Sequence, residues 1–192
     1  MNDFAYFFEL GWQHIISSDA LDHQLFILAL AAIYLVNDWK KVLILVTAFT
    51  IGHSLTLALS AFDIIKVNSK WVEFLIPLTI VITALFNFIK TEKHYGQYNT
   101  QYFIALFFGL IHGLGFANTI KLMLAKSQSI TMPLLSFNLG LEAGQIVVVA
   151  MILLISFFIV NKLKLRRKWW VWALSAIAFF IAGSICIERW PF

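Results

Sequence analysis

His53, His112 and Glu142 each stand inside a long apolar stretch of the sequence. An ionisable side chain of the charged types costs at least ~2.5–3.5 kcal/mol there on insertion scales, and it normally faces a bundle interior or a pathway. Neutral imidazole nitrogen and carboxylate oxygen suit Zn, Ni, Co or Fe(II), and a bound cation would offset the burial of Glu142 as a carboxylate. Three separate stretches therefore each deliver one potential ligand to similar depth. The competing reading makes each histidine a hydrogen-bonded packing residue and Glu142 a protonated acid. Cys186 is the only cysteine, so no intrachain disulfide and no thiolate cluster can form, and a metal would be held by nitrogen and oxygen.

Polar neighbours recur at helical spacing. Asn138, Glu142 and Gln145 stand at i, i+4 and i+7, while Thr50, His53 and Ser54 share a face of their own helix. These side chains could orient the ligands, as metal-bound histidine and carboxylate usually require. Thr50 and Ser54 could equally back-bond to their own helix. Gly109, Gly113 and Gly115 surround His112, and Gly140 and Gly144 flank Glu142; small residues let helices approach closely in membranes. Nearer the N-terminus, Asp22 and His23 follow His14 and Asp19. They either complete the site or form an entry that collects cations, although Asp19 and Asp22 could also simply cap a helix.

The elements that must position these residues are membrane helices. The 192 residues are 61% hydrophobic and 12% charged, against roughly 25% charged in an ordinary soluble domain. Apolar runs over about 22–37, 42–62, 71–89, 101–125, 133–160 and 169–187 approach the roughly 20 residues needed to cross a bilayer. The expected fold is all-α: a polytopic membrane helix bundle of about six transmembrane helices forming one integral membrane domain over 1–192. Segment 4–16 is too short to cross and reads as a short interfacial or re-entrant helix. Trp39, Trp71, Trp169, Trp170, Trp172 and Trp190 fall at span ends, as an aromatic belt should. No cleavable signal peptide is expected, because Asp3 and Glu9 stand where a basic n-region would be.

Loops 1, 3 and 5 carry Lys40, Lys41, Lys90, Lys93, Lys162, Lys164, Arg166, Arg167 and Lys168; loops 2 and 4 carry only Lys66, Lys70, Lys121 and Lys126. The first set is expected on the cytoplasmic side, which places both termini outward. The net charge of +4 sits in these short loops, so the lipid bilayer and not nucleic acid is the expected partner; a homo-oligomer is left open. A weak internal echo links Phe49-Thr50-Ile51-Gly52-His53-Ser54-Leu55 with Phe108-Gly109-Leu110-Ile111-His112-Gly113-Leu114.

Five motifs together resemble the HupE/UreJ family of membrane proteins: Gly11-Trp12-Gln13-His14-Ile15, Asp22-His23-Gln24-Leu25-Phe26, the run from Phe49 to Leu57, the run from Phe108 to Ala117, and the run from Phe137 to Gln145. The resemblance covers nearly the whole chain. It implies a hydrogenase or urease accessory role in a bacterial inner membrane and passage of Ni(II), with His14, Asp22, His23, His53, His112 and Glu142 at the family's polar positions. One spacing departs from the family pattern, which has five residues between the first His and the Asp-His pair, whereas seven (15–21) separate His14 from Asp22 here. Transport of a divalent transition metal is the leading reading. A zinc-dependent intramembrane hydrolase and a non-transporting metal-binding accessory protein remain as alternatives, with no catalytic residue assigned.

Overall fold

A bilayer offers no water to backbone N–H and C=O groups, so an apolar chain of this kind must satisfy them within helices. The computed structural model describes residues 3–89, 99–124 and 130–192, and no strand occurs among them. Seven α-helices follow in order: α1 (Asp3–Ile16), α2 (Leu21–Ala31), α3 (Trp39–Ala61), α4 (Ser69–Ile89), α5 (Asn99–Leu124), α6 (Thr131–Ser156) and α7 (Arg167–Glu188). A 3-10 turn, Ser18–Ala20, joins α1 to α2, another at Val36–Asp38 leads into α3, and α6 runs on as a π-helix over Phe157–Lys162. Lys90, Lys93 and Lys126 of the charge pattern lie outside the described residues.

Four helical stretches are long and apolar enough to cross a membrane: Val36–Ala61, Ser69–Ile89, Thr131–Lys162 and Arg167–Glu188. With the overall composition they mark an integral membrane protein. The apolar part of α5, Gln101–Ala117, is shorter. The helix expected over 22–37 is α2, which stops at Ala31 and so spans only roughly 16 Å at 1.5 Å per residue. Its early end has a cause. The Ile33 carbonyl accepts a hydrogen bond from the Arg167 guanidinium, and the Tyr34 hydroxyl donates to Gln101 Oε1, so ties to other helices join the closing Tyr34 N–H bond to Ala31 O (2.9 Å). Segment 4–16 is the helix α1.

Two helix pairs make backbone-to-backbone contact. A Cβ added to Gly11 would collide with the Phe137 carbonyl, and one added to Gly140 with the Phe8 carbonyl; likewise Gly52 abuts the Leu106 carbonyl and Gly109 the Phe49 carbonyl. The contacts are reciprocal, each glycine receiving the carbonyl of the residue three positions before the partner's glycine. One turn further, Gly113 meets the His53 carbonyl and Gly144 the Ile15 side chain. Residue numbers rise together along both contacts, so α1 runs parallel to the first half of α6, and α3 runs parallel to α5. The echo motifs 49–55 and 108–114 thus lie face to face, and close packing with Cα–H···O contacts replaces the hydrophobic drive that lipid cannot supply.

The remaining helices enclose these pairs. α7 runs antiparallel to α4, with Phe74 against Trp190 (5.1 Å between ring centroids) and Asn87 Nδ2 donating to Ser175 Oγ (3.1 Å). Its Arg189 pairs with Asp22 at 3.1 Å at one end of α2, while Arg167 reaches Ile33 at the other. Trp71 and Trp190 are exposed at one end of the molecule, Trp39 and Trp169 at the other, forming two aromatic girdles. The α3–α4 turn closes with Ile64 N–H on Leu59 O (2.9 Å) and Asp63 N–H on Ser60 O (3.0 Å), with Asp63 at φ 57°. Lys121 of α5 holds that turn through a 2.7 Å bond to Asp63, and the hydrogen bond and positive charge keep the Asp63 carboxyl below the usual carboxylate range.

Gly109→Val should therefore drive α3 and α5 apart, losing monodisperse protein on size exclusion or at least ~1–3 kcal/mol of stability as expected of overpacking. Gly183→Ala, where an added Cβ meets nothing within 4 Å, should be tolerated and raise thermal stability by up to about 1 kcal/mol, the helix-propensity gain of Ala over Gly.

Candidate metal centre

The interruption between α1 and α2 begins the site. When a helix breaks inside an apolar core, its last carbonyls need donors. Gln24 provides one amide for three of them: Nε2 lies 3.0 Å from Ile15 O, 3.3 Å from Ile16 O and 2.9 Å from Ser17 O. The turn at Ser18–Ala20 lies between His14 and Asp22, and the imidazoles of His14 and His23 on either side of it come together with ring centroids 4.6 Å apart. The negative end of the α1 dipole lies in this last turn, a favourable location for a cation.

α3 delivers His53, which is fully buried; its ring centroid is 6.1 Å from that of His14 and 5.9 Å from that of His23. One ligand nitrogen from each of His14, His23 and His53 lies within 4.8 Å of the others. Imidazole nitrogens bound at ~2.0–2.1 Å sit at most about 4.2 Å apart across an ion, so small side-chain rotations would close the trio around one metal. α5 adds His112, 5.2 Å from His23 between centroids. Four imidazoles from four helices thus face one another.

Their hydrogen bonding is incomplete. His14 Nε2, His23 Nε2, both ring nitrogens of His53 and His112 Nδ1 are buried without a hydrogen-bond partner. Each such group costs about 1–3 kcal/mol, so four packing histidines would make a strongly destabilised core. His112 is oriented from behind. The Thr79 hydroxyl donates its single proton to Ile76 O at 2.7 Å, so its 3.1 Å contact with His112 Nε2 requires that nitrogen to be the donor. Nδ1, the atom without a partner, then carries the lone pair.

Phenylalanine rings wall the cluster and exclude water. Phe116 lies 4.3 Å from His14 and stacks on Phe137 at 5.0 Å, while Phe26 and Phe49 lie 5.2 and 5.1 Å from His112. No carboxylate joins the trio within 4.8 Å among the described residues. Glu142 Oε1 accepts a 2.6 Å bond from Thr47, Asp22 Oδ2 is paired with Arg189 while its buried Oδ1 has no partner, and Asp19 is exposed. Thr50 donates to Gln145 Oε1 at 2.8 Å, Ser54 back-bonds to Thr50 O at 2.7 Å, and Asn138 faces His53 with an unpartnered Oδ1.

Two contributors escape a reading by motif. Thr79 belongs to a periodic polar series on an apolar helix, which is a readable signal; Gln24 is a neutral amide whose capping role appears only once the helix is seen to break. Compared with known proteins, the chain matches the family described as HupE / UreJ protein over residues 1–189, essentially its whole length. No curated protein and no solved structure matches it.

Thr79→Val should lower the affinity of the purified protein for Ni(II) or Zn(II) about 10- to 100-fold, the range typical of lost support to a metal-bound histidine. Equilibrium dialysis with elemental analysis measures this, and unchanged affinity would show that Thr79 does not orient His112.

Proposed function

We propose that this chain, which belongs to the HupE/UreJ family, carries a divalent transition metal ion across the membrane, with Ni(II) as the favoured substrate. The observation that carries the reading is the convergence of His14, His23, His53 and His112 with buried, unpartnered nitrogens. Imidazole suits nickel and its neighbours in the first transition row. The donor set contains no thiolate and no second charge to trap the ion, and a transported ion must be held weakly enough to leave.

In this reading α1 and α2 form a discontinuous entry and α2 to α7 supply six membrane-embedded helices. The end bearing Lys40, Lys41 and Arg166–Lys168 faces the cytoplasm, so both termini are outward. Asp19 and Asp22 stand at the outer mouth beside the His14–His23 pair, where they would attract a hydrated cation. Glu142 tunes the neighbouring Thr47 and Gln145 face of α3 and α6. A zinc hydrolase is less well supported, because the ligand atoms within reach of one another, among the described residues, are all imidazole. Three imidazoles with an open position can also hold a catalytic zinc, but no carboxylate stands within ligand reach to serve as general base, among the described residues.

The test is uptake of radioactive nickel into proteoliposomes. Wild-type protein should accumulate nickel above protein-free vesicles, and His53→Ala and His112→Ala should each lower the initial rate at least about tenfold. Retention of stoichiometric metal and full uptake by both variants would remove these histidines from the path; absence of uptake by the metal-loaded wild type would remove transport.

A further inference from the structure

Behind His112, away from the imidazole cluster, a second polar feature occupies the core. Thr79, Thr83 and Asn87 stand at i, i+4 and i+8 of α4, so they line one face of that helix, and all three are buried. The series starts at the 3.1 Å contact between Thr79 Oγ1 and His112 Nε2. It advances about 12 Å, at 1.5 Å per residue. It ends at a small cavity of about 30 Å³ bounded by Thr83, Asn87, Tyr34, Gln101, Leu30 and Ile104. A water needs roughly 10–15 Å³ of such volume and several polar partners; this chamber has room for about two, with Thr83, Asn87, Tyr34 and Gln101 as the polar side chains in an otherwise apolar wall.

We propose that Thr79, Thr83 and Asn87 form a ladder of neutral oxygens along which the cation leaves the histidines, and that the chamber beside Tyr34 and Gln101 is where it regains water. This rests on the transport reading above. Three features of the ladder fit cation passage. The hydroxyl protons of Thr79 and Thr83 are committed to Ile76 O (2.7 Å) and Thr79 O (2.8 Å), which leaves oxygen lone pairs facing the path, one of those on Thr79 being taken by the His112 Nε2–H. Asn87 donates its amide protons to Ala29 O (2.7 Å) and Ser175 Oγ (3.1 Å), so its carbonyl oxygen is the remaining group. Every donor is uncharged, so each holds a divalent ion less firmly than imidazole nitrogen does, and the ion is not retained.

The position of the chamber fits an exit. Ile33, on its wall, accepts the Arg167 guanidinium, which also approaches Asp38 at 4.0 Å. The chamber thus adjoins the basic end of the bundle, opposite the Asp22–Arg189 pair near the entry histidines. A purely structural back-bonding role would explain Thr79 and Thr83 one at a time. Asn87 also ties α4 to Ala29 O and Ser175 Oγ, but separate local bonds do not explain why the three residues share one face that runs from His112 to a cavity.

Full-length protein in proteoliposomes, with Ni(II) as the sole probe, separates the two. Thr83→Val preserves shape and removes the oxygen, Asn87→Leu removes the amide, and Thr83→Ser restores the oxygen. Thr83→Val and Asn87→Leu should each slow initial uptake at least about tenfold while nickel affinity in detergent stays within about twofold, and Thr83→Ser should recover uptake to within about twofold of wild type. Should Asn87→Leu fail to fold, the Val and Ser pair at position 83 decides. Wild-type uptake by Thr83→Val would overturn the ladder and leave the histidine centre standing, and so would loss of nickel binding in that variant, because position 83 would then serve the centre itself. A wild-type protein that binds nickel without moving it would overturn both readings.

Discussion

Everything in this molecule depends on two helix pairs whose backbones touch. Hydrocarbon tails are as apolar as the helices, so nothing like the hydrophobic effect in water draws α3 to α5 or α1 to α6. What holds them is carbonyl against glycine, repeated reciprocally at Gly52 and Gly109 and again at Gly11 and Gly140. That contact is also a geometrical device. A bulkier residue at any of these positions would widen the spacing between axes, and His53 and His112, one turn or less from Gly52 and Gly109, would separate with it. Packing and site are therefore one arrangement: the glycines that could have been explained by packing alone are the ones that set the distance between imidazoles.

The second constraint is the break between α1 and α2. A continuous helix would place residues 14 and 23 two and a half turns apart along one axis, about 13 Å at 1.5 Å per residue. Bending the chain at Ser18–Ala20 brings their rings to 4.6 Å. Inside a membrane such a bend exposes carbonyls that need a donor, and the single amide of Gln24 gathers three. A cost incurred for positioning is thus met from within the same motif, one residue after His23.

Much of the architecture was legible in the sequence because the bilayer imposes simple rules. Runs 71–89, 133–160 and 169–187 fall inside helices long enough to cross, and 42–62 overruns its helix by one residue, since length and apolarity alone decide such elements. The run 22–37 also reads as a span, but hydropathy carries no signal for a tie such as Arg167 to Ile33, and the helix stops at Ala31. Residue type singled out His53, His112 and Glu142 together, because burial in hydrocarbon makes any ionisable group conspicuous. Which way each side chain turns depends on helix rotation, which composition does not encode; the two histidines face the core, whereas Glu142 turns to Thr47 at the α3 surface. The Phe49 and Phe108 echo looked slight in sequence and gained meaning only from the parallel contact that sets its two halves face to face.

In the transport reading proposed above, charge is distributed so that attraction and release are separated in space. At the Asp22 end of α2, Asp22 is half neutralised by Arg189 and Asp19 is exposed. A divalent ion approaching that end meets carboxylates while it still carries water and meets neutral imidazole once it must shed it. Dehydration is costly, and nitrogen ligands on a rigid, water-excluding aromatic wall can offset it without adding a charge that would hold the ion. A carboxylate at the centre would have bound more tightly and transported less well. In the same reading, the bond of Glu142 to Thr47 leaves its carboxyl outside the innermost ring of donors, and an ion leaving the histidines would pass to groups that bind it more weakly than they do.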